Sequence, residues 1–102
     1  MCIRDSSYFL CTSLPSDLRR QHEARLIEGY LGALAELGIE APRFDEAWRS
    51  HRLFALYGWI AAAFTAAAGE GLQPREIALA GLRRATAAAI DLESIGCAAS
   101  ER

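Results

Sequence analysis

The chain has 102 residues, room for one domain at most. Hydrophobic residues make up 52% and charged ones 24%, a globular rather than a disordered balance. A net charge of −2 and an isoelectric point near 5.6 leave no basic footprint for nucleic acid or an anionic membrane. Val is absent while Ala, Leu, Arg and Glu dominate, which favours helix over strand.

The predicted elements are one short and three long helices. The first, about Ser7 to Ser13, is apolar and ends before Pro15. The second runs from about Pro15 to Leu37, with Ser16 and Asp17 supplying an acceptor and negative charge at its start. Its apolar positions are Leu18, Leu26, Ile27, Tyr30, Leu31, Leu34 and Leu37, a buried stripe from Leu26 onward. Gly38 is its stop.

The third helix starts near Phe44–Asp45 and reaches Ala68, with Gly69 as its stop. Leu53 to Ala68 carries no charge, but the run is too short and too rich in Ala to span a bilayer. It reads instead as a central helix covered on most sides by its neighbours. The fourth helix opens near Gln73–Pro74 and continues to about Ser94, where Gly96 ends it. The tail from Cys97 to Arg102 is expected to fray.

Recognisable chemistry is sparse. Gly69-Glu70-Gly71 is a helix–helix turn, not a phosphate loop after a strand. His22 and His51 lie on different helices, and a metal would need further ligands that no spacing suggests. Ser13 and Ser16 read as helix caps. The cysteines are Cys2, Cys11 and Cys97. An odd count without a secretory signal points to free thiols in a reducing, cytoplasmic setting.

Trp48, His51, Arg52 and Tyr57 gather on the first half of the third helix, with Trp48 and Arg52 one turn apart. One reading makes Trp48 core with Arg52 lying over it. The other makes these residues, with Tyr8, one wall of a substrate pocket. No catalytic, cofactor-binding or metal-binding residue is identified.

Two resemblances bear on these elements. Met1 to Ser6, Met-Cys-Ile-Arg-Asp-Ser, resembles the translation of a transposon-end sequencing adapter, so these residues are set apart from the fold. The second rests on Tyr8-Phe9-Leu10-Cys11-Thr12-Ser13-Leu14-Pro15, on Leu18-Arg19-Arg20-Gln21-His22-Glu23, on Trp48-Arg49-Ser50-His51-Arg52-Leu53 and on Ile90-Asp91-Leu92-Glu93. In order and spacing these phrases resemble the C-terminal end of the aminoglycoside-phosphotransferase-like kinases, in the branch similar to ecdysteroid- and choline-kinase-like enzymes. His51 stands where that pattern has Tyr.

The resemblance implies that residues 7–96 form the C-terminal helical subdomain of a protein-kinase-like fold. Such a subdomain packs under the catalytic loop and shapes the pocket of a small-molecule acceptor. It also implies that the His-Gly-Asp loop, the metal-binding Asp and the nucleotide-binding lobe lie upstream. ATP and Mg²⁺ would belong to that parent, and the helical part alone would be inactive. The other readings are a stand-alone helical interaction or dimerisation module, and the ligand-binding half of a helical regulator with Trp48, Tyr57 and Trp59 around an apolar cavity.

Overall fold

A computed structural model describes residues 3–71 and 73–100, and every regular element among them is helical. They are α1 (Ile3–Thr12), α2 (Ser16–Glu36), α3 (Phe44–Ala67), α4 (Arg75–Asp91) and α5 (Ser94–Ala99), with a 3₁₀ turn at Gly69–Gly71. None of these helices is long and apolar enough to cross a membrane.

Glycine and proline set the boundaries. Leu37 caps α2 and Gly38 follows at φ 76°, a left-handed conformation that costs Gly little. The Gly38 N–H then donates to the Ala35 carbonyl at 3.0 Å and the Ile39 N–H to the Leu34 carbonyl at 2.9 Å. That is the Schellman pattern, and it satisfies carbonyls the helix end would otherwise orphan. Gly69, at φ 76°, turns the chain after α3 in the same way. Pro15 and Pro74 sit one residue outside α2 and α4, at their N-caps rather than in their first turns. No side-chain hydrogen bond caps either helix, so the expected capping by Ser13 and Ser16 is not formed.

Three boundaries depart from the sequence reading. α1 begins at Ile3, so residues set apart as an adapter continue the helix, and Asp5 lies in its first turn. The fourth helix stops at Asp91, because Glu93 takes a left-handed φ of 51° and breaks the axis. α5 then runs through Gly96. The expected fray at Cys97 is replaced by packing, since Cys97 is buried against the bundle. Met1, Cys2, Glu101 and Arg102 lie outside the described residues.

α3 is the hub, packing against α1, α2, α4 and α5. Its buried line is Ala47, His51, Ala55, Gly58 and Ala62, nearly all small. α4 answers with Ala78, Ala85 and Ala88. Small residues on both sides let the backbones approach closely, so the neighbours collect on this one face. α3 is therefore covered on one side, not on most. Its opposite face leaves Tyr57, Ile60 and Phe64 more than half exposed.

Two apolar clusters fill the interior. One joins Leu10, Ile27, Leu31 and Ala47, and the other Cys11, Ala55, Ala88 and Leu92. Trp48 is half-buried and packs against both. The Cα radius of gyration is 14.2 Å, against about 12.8 Å for a compact chain of this length.

Candidate functional site

The buried line of α2 is Arg19, Glu23, Ile27 and Leu31, each one turn after the last. Two of the four are charged; Ile27 and Leu31 of the expected stripe are buried, whereas Leu26 and Leu37 are exposed. The charged half of this line was missed because an ion pair can enter an apolar line when its partners travel with it. Arg19 Nη1 donates to Glu23 Oε1 at 2.9 Å, an i,i+4 pair with both side chains nearly dry.

From this pair a chain of polar contacts crosses α1, α2, α3 and α4. Glu23 Oε2 lies 2.9 Å from His51 Nε2 on α3, and His51 Nδ1 lies 2.8 Å from Ser7 Oγ on α1. In the other direction Arg19 Nη2 donates to Asp91 Oδ2 at the end of α4, and Arg20 Nε donates to the same oxygen at 2.6 Å. Ser7, Arg19 and His51 are each at most 1% exposed.

The proton positions follow from the partners. A carboxylate only accepts, so His51 Nε2 carries the proton it donates to Glu23. In the neutral ring Nδ1 is then an acceptor, and the Ser7 hydroxyl donates to it. Glu23 thus fixes the tautomer of His51, as a carboxylate does for an imidazole in many sites.

Serine to histidine to carboxylate is also the order of an activated nucleophile, its base and the group that orients the base. Here the order exists without access. Ser7 and His51 are sealed, and neither lines any of the grooves described below. The arrangement can hold helices; it has no room for an acyl or phosphoryl group beside the hydroxyl.

Charge is balanced across the network, with Arg19 and Arg20 facing Glu23 and Asp91. The Arg20 hydrogen bond, aided by Arg19, holds the Asp91 carboxyl below the usual carboxylate range against the opposing effect of burial. Burial, with the Glu23 charge adding to it, pushes the Cys11 thiol up to about 12, so it stays protonated and unreactive. Two buried polar atoms, Arg19 Nε and Ser94 Oγ, have no partner among the described residues.

Arginines also finish helix ends. Arg52 Nε donates to the Leu92 carbonyl at 2.7 Å, with Nη2 at 3.5 Å from that of Glu93. It caps α4 beside the left-handed residue. Arg84 Nη1 reaches the carbonyls of Thr12 and Ser13 and closes α1 in the same manner.

Of the five candidate pocket residues, Trp48 and Arg52 share an open groove of about 340 Å³ with Asp45, Glu46 and Arg49, and Tyr8, His51 and Tyr57 do not line it. Tyr8 is 43% exposed and lines an open groove of about 440 Å³ with Thr12, Ser13, Thr65, Glu76 and Arg84. Trp48 stacks on the exposed Phe44 at 5.7 Å and tilts against the sealed His51 at 5.3 Å. His51 is sealed, Arg52 is a cap, and Tyr57 stands on the outward face of α3. A cavity shared by Trp48, Tyr57 and Trp59 is likewise not formed. Trp59 bonds Thr86 Oγ1 at 3.0 Å and lines a groove of about 320 Å³ with Leu56, Ile90 and Ile95. Tyr57 lies across the helix from it.

Sequence reasoning missed Ser7, Glu23 and Asp91 as members of one buried cluster. The available signal was the one-turn spacing of Arg19, Glu23, Ile27 and Leu31, which puts charge and core on one line. The long-range partners carry no local signal. Compared with known proteins, the chain matches no family model, no curated protein and no solved structure.

Proposed function

We propose that this chain is the helical subdomain supporting the catalytic lobe of a cytoplasmic, ATP-dependent phosphotransferase that acts on a small-molecule hydroxyl. One observation carries the reading. Several residues in the phrases that resemble such kinases are residues that fasten the helices together. Arg19, Arg20 and Glu23 come from one phrase, Arg52 from another, Asp91 and Leu92 from the last, and all meet in one network or at its edge, joined by His51, where the chain departs from the pattern's Tyr. Shared phrases with shared structural work support a common architecture more than phrases scattered over the surface would.

In this reading the work of the subdomain is positioning. Ser7 at its middle and Arg84 at its C-terminal end hold α1 to the bundle, so whatever precedes α1 is presented at a set angle. The groove beside Tyr8 would form part of the wall against which an acceptor lies, and the missing catalytic lobe would be the partner. ATP and Mg²⁺ would belong to the missing lobe, not to the buried network. The carboxylates of Glu23 and Asp91 are already taken by Arg19, Arg20 and His51, and the two guanidiniums would repel a divalent cation there.

The coding sequence contiguous with Ser7 tests this directly. A strand–loop region holding His-Gly-Asp and a further Asp is expected there. A start codon with its ribosome site immediately before Ser7 would sink the reading. The purified chain should show no phosphotransfer from ATP to sugar or amino-alcohol acceptors; ATP-dependent turnover that co-purifies with it would count equally against the assignment.

A further inference from the structure

The groove beside Tyr8 runs along α4, with α1 and α3 as its other walls. Glu76 and Arg84 both line it, eight positions apart on α4 and so about 12 Å along the helix axis. Neither forms an ion pair among the described residues. Arg84 rests Nη1 on the carbonyls of Thr12 and Ser13, which satisfies donors of the guanidinium without neutralising its charge. The groove thus has an unpaired carboxylate at one end and an unpaired cation at the other. Between them lies Gly81. Glycine inside a helix is destabilising relative to alanine, because it orders more backbone and packs nothing. No heavy atom lies within 4 Å of where a Cβ on Gly81 would stand. Packing within the chain therefore does not ask for glycine here, whereas a molecule lying against the α4 backbone does. Gly29 and Gly32 of α2 are equally open, but neither lines this groove.

We propose that this groove binds a short linear zwitterion of peptide size, its ammonium at Glu76 and its carboxylate at Arg84. Length selects the class. A single α-amino acid holds its two charges too close together to reach both ends, whereas three extended residues span about 10 Å. The groove volume of about 440 Å³ admits a molecule of that size. Tyr8, Thr65 and Gln73 add polar groups along the walls, which suit peptide amides better than a hydrocarbon body. Gly81 gives the middle of the ligand room to lie close to α4. The groups involved all belong to this chain, so the proposal does not depend on the phosphotransferase reading.

NMR titration of the full chain with trialanine tests this. Saturable shifts at Gly81 and its neighbours are expected, with a Kd on the order of 0.1–1 mM. N-acetyl-trialanine lacks the ammonium and trialanine amide lacks the carboxylate, and each should bind at least about 10-fold more weakly. In Glu76→Gln the acetyl group should change affinity by less than about 2-fold, because the charge that met the ammonium is gone. Gly81→Ala should raise the thermal midpoint by about 4 °C and yet weaken trialanine binding at least about 10-fold. Both substitutions fall where a side chain has room, so folding is retained, with far-UV dichroism as the check. Absence of saturable binding up to about 20 mM overturns the proposal. So does a blocked peptide that binds as tightly as trialanine, an acetylation penalty that survives in Glu76→Gln, or undiminished affinity in Gly81→Ala.

Discussion

The two faces of α3 invert the usual arrangement of a water-soluble helix. The inner face carries Ala47, His51, Ala55, Gly58 and Ala62, small residues around one imidazole. The outer face carries Leu53, Tyr57, Ile60 and Phe64. Hydrophobic mass therefore does not hold this bundle at its hub. The inner face is held by close backbone approach and by a polar network that must be complete, because a buried group without its partner is costly. The outer face contributes little to the fold.

The comparison breaks most sharply at Glu23. Glu23→Ala leaves Arg19 Nη1 and His51 Nε2 without their partner, and should cost about 3–5 kcal/mol in urea unfolding, the range for removing one partner of a buried pair. A loss no larger than that of a surface change would mean the network is incidental. Ala55 tests the close approach. It is fully buried between Cys11, Ala88 and Leu92. Ala55→Leu should destabilise by at least about 1–3 kcal/mol through overpacking, read from the same unfolding curves.

Acid sharpens the polar side. The Asp91 carboxyl is held below its ordinary value of 3.8 by Arg20 and Arg19. A depressed carboxylate contributes stability that is complete above the unfolded value and is lost as pH falls through the folded one. The tie between α2 and α4 should therefore weaken only below about pH 4. Asp91→Asn should flatten that acid limb in thermal melts taken across the range. The smallest effect is expected outside. Phe64→Ala should change stability by no more than about 0.5 kcal/mol. A large loss there would show that the outer face belongs to the core after all.

Much of the architecture was legible. Gly38, Gly69 and the prolines mark real helix ends because each imposes a backbone geometry that no distant residue can override. The all-helical class followed from composition for the same local reason. What could not be read was long-range. Arg19 and Glu23 look like ordinary helix charges, and only the approach of Ser7, His51 and Asp91 turns them inward. The break at Leu92–Glu93 was missed because it rests on a non-glycine left-handed residue, supported by Arg52 from another helix. Trp48, Tyr57 and Trp59 were grouped by proximity in sequence, whereas helical geometry sends Tyr57 to the opposite side.

The network also bears on how the chain folds. Its links join Ser7 to His51, His51 to Glu23 and Arg19 to Asp91, spanning 44, 28 and 72 positions. The helices can form on local contacts alone, but these links cannot close until α1, α2, α3 and α4 have docked. They act as a latch that engages late, so losing Glu23 should speed the opening of the bundle far more than it slows its assembly.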